Sequence, residues 1–245
     1  AKFEDKWNLI RGVAVAIILV MVTAYVTAQM VATGKAFSSF LGMEYATGVI
    51  VGAIFIIGYT FVGGYKAVSY TDVVQGVLML LGLIAVPAAA IIASGGWGEV
   101  QSNLTLQDPS LIDMFAVSDG GKPILIAIAS FIAIGLPFMG VPQLLIRFMS
   151  ARDDTEIKKA RIVSMSVMLV FTVGAVTAGV AGRALIPGLE DPETIFPVIS
   201  NNLFPEIISG MLLVVVLSAI MSTVDSLLLL ASSSVVRDTY QKIIG

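Results

Sequence analysis

Six long stretches of this chain carry almost no charge, and that feature dictates most of what it can fold into. They cover residues 12–34, 45–65, 73–98, 123–146, 162–182 and 207–236, the last interrupted by one acid, Asp225. Each reaches the roughly 20 residues needed to cross a hydrocarbon core. No water is available there for an exposed backbone, so helix is the element that satisfies its own hydrogen bonds within one segment. The reading is an all-α membrane protein with six spans, A to F in chain order.

Composition agrees. Hydrophobic residues make up 57% of the 245 and charged residues 13%, where a soluble domain carries about a quarter charged. The 14 basic and 17 acidic residues nearly balance, which argues against a nucleic-acid partner. Cys and His are both absent, removing thiol nucleophiles, histidine acid–base pairs and most transition-metal sites. The chain opens at Ala1 without a Met or a signal-peptide pattern and stops at Gly245, so both ends read as cuts through a longer protein.

Basic residues give the orientation. Lys2, Lys6, Arg11, Lys66, Arg147, Arg152, Lys158, Lys159, Arg161, Arg237 and Lys242 fall on one side, and Lys35, Lys122 and Arg183 on the other. The positive-inside rule then puts both ends in the cytoplasm. The outer segment 99–122 is polar and acidic, with a short surface helix expected around 109–115. The inner segment 153–160 places its acids before its lysines, as the macrodipole favours, and reads as a short helix of its own.

Polar residues inside the spans are the functional candidates. On span F, Ser218, Ala219, Ser222, Thr223, Asp225 and Ser226 fall within an arc of roughly 160° at the helical repeat. An acid at mid-membrane costs at least ~3 kcal/mol on insertion scales, so it is paired, protonated or placed in a polar cavity. No Lys or Arg lies inside the spans, which makes a bound cation an available partner. Oxygen ligands suit a hard, weakly charged ion. Helix–helix hydrogen bonding competes as the role of the hydroxyls; Asp225 beside them favours the ion.

Span D holds Gly135, Pro137, Gly140 and Pro142, which should break or kink it. Broken helices expose backbone to substrate and ions in transporters; an ordinary proline kink is the alternative. Phe138 and Gln143 are the side chains best placed to touch a ligand there. Between B and C, Gly63 and Gly64 make a turn, and Asp72 with Gln75 fits a capping box opening span C. Gln29 on A faces either a cavity or a neighbouring helix.

Three segments resemble the solute:sodium symporter family. They are Gly58-Tyr59-Thr60-Phe61-Val62-Gly63-Gly64-Tyr65-Lys66-Ala67-Val68-Ser69-Tyr70-Thr71-Asp72-Val73-Val74-Gln75, Gly140-Val141-Pro142-Gln143-Leu144-Leu145-Ile146-Arg147-Phe148-Met149 and Ala219-Ile220-Met221-Ser222-Thr223-Val224-Asp225-Ser226. Phe3-Glu4-Asp5-Lys6 and Ala160-Arg161-Ile162-Val163-Ser164-Met165 are similar to its sodium/proline branch. Gly182-Arg183-Ala184-Leu185-Ile186-Pro187 is similar to the sodium/pantothenate branch.

The resemblance implies a LeuT-like inverted-repeat fold in which residues 1–245 form part of the transmembrane domain. Spans A to F would be core helices three to eight, and the first core helix would be missing. It implies a principal sodium site at Ala219 (carbonyl), Ser222 and Thr223. It also implies a second site, present in some members, at Asp72, Ser222, Asp225 and Ser226. Phe138 matches an aromatic gate on broken helix six, where sugar and proline carriers often have Tyr.

The expected function is sodium-coupled symport of a small organic solute, proline or a similar amino acid ahead of pantothenate or another carboxylate, in a multi-pass protein of the cytoplasmic membrane. Na+ is the coupling ion; substrate contacts are expected at Phe138, Gln143 and Gln29. A symporter-like sensor module of a signalling protein is the alternative of another class. An intramembrane enzyme would have only Asp72 and Asp225 as its acid pair.

Overall fold

The protein is described by a computed structural model over residues 8–113 and 124–244. Those residues are almost entirely helical and contain no strand, as an all-α membrane protein requires. Among them, Leu9–Leu41, Gly64–Ala93, Asp154–Leu185 and Glu206–Lys242 are long and apolar enough to cross a membrane, and Tyr45–Phe61 is a shorter apolar helix. Phe61, Ile92 and Phe131 are among many large apolar side chains that face outward. That pattern suits a lipid solvent, since soluble surfaces rarely expose large apolar patches. The chain divides into two compact units, Ala1–Met79 with Gly210–Gly245, and Leu80–Ser209.

In the first unit, α1 (Leu9–Leu41) ends where the Gly42 amide closes on the Ser38 carbonyl. It turns back into α2 (Tyr45–Ala93), and the two helices pack through glycines. A Cβ on Gly34 would meet the Tyr45 ring, one on Gly48 would meet Phe37, and one on Gly52 would meet Thr33. Gly48 and Gly52 form a G-x-x-x-G pair, the spacing that lets membrane helices approach closely. α8 (Glu206–Ser233) completes the core: Ile56, Ile220 and Val224 are buried together, with Tyr59 and Met221 packed on them. A π-helix, Ser234–Ile244, continues α8 and packs on α1. There the Asn8 side chain donates to the Lys242 carbonyl at 3.3 Å.

Gly64 kinks α2 with φ 56° and ψ −168°, a conformation open to glycine and strained for other residues. This corrects the capping box at Asp72. The second limb begins at Gly64, so Asp72 lies about two turns inside it. The glycine supplies the whole turn, and residues 65–71 contain no breaker. Ser69 and Thr71 instead send their hydroxyls back to the carbonyls of Tyr65 and Val68, as such residues do in helix interiors.

In the second unit the helix stops at Ala93, short of the 98 expected, because Gly95 and Gly96 adopt φ 91° and 109°. α3 (Trp97–Gln107) follows, then a 3₁₀ turn, Pro109–Ile112, opened by Asp108. The surface helix expected at 109–115 is therefore this earlier helix plus one turn; the remainder of that expectation lies outside the described residues. The Asp108 carboxylate accepts the Ser110 amide at 2.8 Å, which holds its pKa below the usual range.

The predicted interruption in span D is present: α4 (Ile124–Gly135), a 3₁₀ turn (Leu136–Gly140) and α5 (Pro142–Met149) replace one continuous helix. The inner segment 153–160 is not a separate helix. It opens α6 (Asp154–Leu185), where Asp153 caps the amides of Thr155 and Glu156 at 2.8 and 2.9 Å. The cap and the acids of the first turn favour a start here, and no Gly or Pro follows until Gly174. Gly174, Ala178 and Gly182 repeat every four residues on the buried side of α6. A Cβ on Gly174 would strike the Leu83 carbonyl, and one on Gly182 would strike Ile195 and Ile199 of α7 (Ile195–Leu203).

Candidate functional site

Within the first unit, the polar arc of α8 is graded from sealed to open. At about 100° per residue, Asp225 and Ser218 occupy one edge, Ser222 and Ser226 the middle, and Ala219 and Thr223 the other edge. Burial follows that order. Asp225 is 0% exposed and Ser218 3%; Ser222, Thr223 and Ser226 are half-buried; Ala219 is exposed. The arc therefore presents two different environments rather than one uniform lining.

From the middle to the open edge, the Ser222 and Thr223 hydroxyls both donate to the Ala219 carbonyl, each at 3.1 Å. The Ser226 hydroxyl does the same to the Ser222 carbonyl at 3.1 Å. A hydroxyl has one proton and two lone pairs. With the proton directed back at the helix, its lone pairs are left for another electropositive partner. The Ala219 carbonyl is in the opposite condition, already engaged by two hydroxyl donors. In this arrangement the two hydroxyl oxygens can receive a cation, and the carbonyl can join only when a hydroxyl turns away.

At the sealed edge, Asp225 is satisfied by protein groups that sequence reasoning did not find. The Tyr59 hydroxyl donates to Asp225 Oδ2 at 2.7 Å and approaches the Met221 carbonyl at 3.3 Å. The Ser226 amide donates to Asp225 Oδ1 at 2.6 Å. Gln75 is 8% exposed and lies against the same phenol, with Oε1 buried and lacking a hydrogen-bond partner among the described residues. A tyrosine well inside an apolar span is the available signal for Tyr59, since a buried phenol O–H usually has a partner. Asp72, half-buried on the same limb of α2, lies one turn before Gln75.

The three residues expected to touch substrate fall in different units. Gln29 is half-buried on α1, its carbonyl accepting the Thr33 hydroxyl at 2.8 Å. Phe138 sits outward in the 3₁₀ turn of the break, and Gln143 is half-buried on the first turn of α5. No cluster of three or more acids suited to a tightly held metal occurs among the described residues.

Outward-facing apolar helices, among them four long enough to cross a bilayer, define part of a multi-pass membrane protein. The chain belongs to the sodium:solute symporter family, which it matches over residues 1–245. It is 41% identical over 244 residues to the high-affinity proline transporter PutP of Bacillus subtilis (strain 168), covering 98% of this chain and 50% of that protein. It is 40% identical over 248 residues to the sodium/proline symporter of Staphylococcus aureus (strain USA300), covering 100% of this chain and 47% of that protein. The chain thus spans about half the length of these relatives. The family is one of transporters, and the LeuT-like, all-α architecture is consistent with it.

Proposed function

We propose that this chain forms part of a sodium-coupled symporter for a small organic solute, with proline as the leading substrate. The observation that carries the reading is the hydroxyl pair Ser222 and Thr223 beside buried Asp225 on a largely apolar helix. Names of the relatives support sodium and proline. Sodium binds at the two hydroxyls, joined by the Ala219 carbonyl as a hydroxyl reorients. Asp72, Asp225 and Ser226, with Ser222, form the second ion position. Candidate solute contacts are Gln29 in the first unit and Phe138 and Gln143 in the second. The protein resides in the cytoplasmic membrane, and the contact between Asn8 and Lys242 supports both ends of the chain lying on one side.

The energetics suffice. One charge crossing 100 mV and a tenfold sodium gradient together supply about 3.7 kcal/mol, or roughly 500-fold accumulation per ion. The test is radiolabelled proline uptake into proteoliposomes of the full-length protein, with pantothenate and other small carboxylates as competing substrates. Uptake is expected to require sodium and to favour proline. Uptake that survives replacement of sodium by choline overturns the reading.

A further inference from the structure

Tyr59 grips α8 at two points one turn apart, Asp225 Oδ2 and the Met221 carbonyl. Ser222 and Thr223 lie between those points in sequence, so the grip spans the turn that carries both hydroxyls proposed to receive sodium. A phenol carries one proton. The 2.7 Å contact to the carboxylate takes it, and the 3.3 Å approach to the carbonyl shares it. The ring is packed against Ile56, Ile220 and Val224, which fixes the direction from which the hydroxyl arrives.

We propose that Tyr59 is a positioning residue for sodium binding: by holding Asp225 against α2 it fixes the rotation of the turn that carries Ser222 and Thr223. The proposal rests on the symport reading. Asp225 has both carboxylate oxygens engaged, by Tyr59 and by the Ser226 amide. Removing the phenol hydroxyl leaves Oδ2 without that donor in a buried setting, where a carboxylate strongly favours a new hydrogen-bond partner. Ser222 sits one turn before Asp225 on the neighbouring part of the arc, and Thr223 follows it on the same turn, so a rotation of that turn displaces both hydroxyls. A bracket that only held the helices together would act on the amount of folded protein instead.

The experiment compares the full-length protein with Tyr59→Phe, Asp225→Asn and the double variant, reading sodium-dependent proline uptake and sodium-induced thermal stabilisation of purified protein. Tyr59→Phe is expected to raise the half-saturating sodium concentration at least fivefold in both readouts, with the maximal rate at saturating sodium within about twofold of the unsubstituted protein. The double variant is expected to match Asp225→Asn alone. An unchanged sodium dependence in Tyr59→Phe overturns the proposal. So does a Tyr59→Phe protein that folds poorly while the double variant recovers normal folding and normal sodium dependence, since Tyr59 would then be structural only. Absence of any sodium dependence in the unsubstituted protein overturns the symport reading, and this inference with it.

Discussion

The Ser222 and Thr223 hydroxyls carry the most specific chemistry, and their substitution tests it directly. Each of Ser222→Ala and Thr223→Ala removes one proposed oxygen ligand, an expected loss of ~1–2 kcal/mol, or about 5–30-fold in affinity. The half-saturating sodium concentration for uptake by the full-length protein should rise by that factor; no change in either variant would remove both residues from the site. Asp72→Asn carries no loss through a helix cap, because Asp72 lies inside the helix that begins at Gly64. At this scale the sequence was readable where a residue type is out of place in lipid, as Asp225 is. It did not give the partner of Tyr59, which is 166 positions away, since a pairing that distant has no local signature.

Elements were legible where they contain their own breakers. Gly135, Pro137, Gly140 and Pro142 announced the interruption between α4 and α5, because a missing amide and a mobile backbone act locally. The second limb of α2 starts at Gly64 and not at Asp72, because the glycine turns the chain by itself and an acid followed by a glutamine is too weak a motif to set a helix start. Close packing between helices has its trace in Gly48-x-x-x-Gly52 and in the Gly174, Ala178, Gly182 series, but small residues alone do not name the partner helix. A test follows on α6. Gly174→Ala should destabilise by about 1–3 kcal/mol, since its Cβ meets the Leu83 carbonyl. Gly179→Ala, with nothing within 4 Å, should be neutral or gain up to ~1 kcal/mol from helix propensity. Thermal unfolding in detergent separates the two, and equal effects would mean that the close approach at Gly174 is absent in solution.

For the whole molecule, apolar stretches predicted the class of fold because lipid leaves the backbone so few choices. Orientation depends on charge distributed over the chain, and it too has a direct test. With any cysteines elsewhere in the full-length protein replaced, Ser150→Cys should react with an impermeant maleimide only after permeabilisation, and Ser110→Cys in intact cells. The reverse pattern would invert the proposed topology. The shared acceptor on α8 has a consequence for the pace of the machine. Two hydroxyls leaning on the same carbonyl adjust to an arriving charge by swinging about a single bond each, a motion of picoseconds to nanoseconds. On the proposed symport reading, recognition of the ion needs no travel of the helix, and the clock of the transport cycle is left to the slow reorganisation of whole helices.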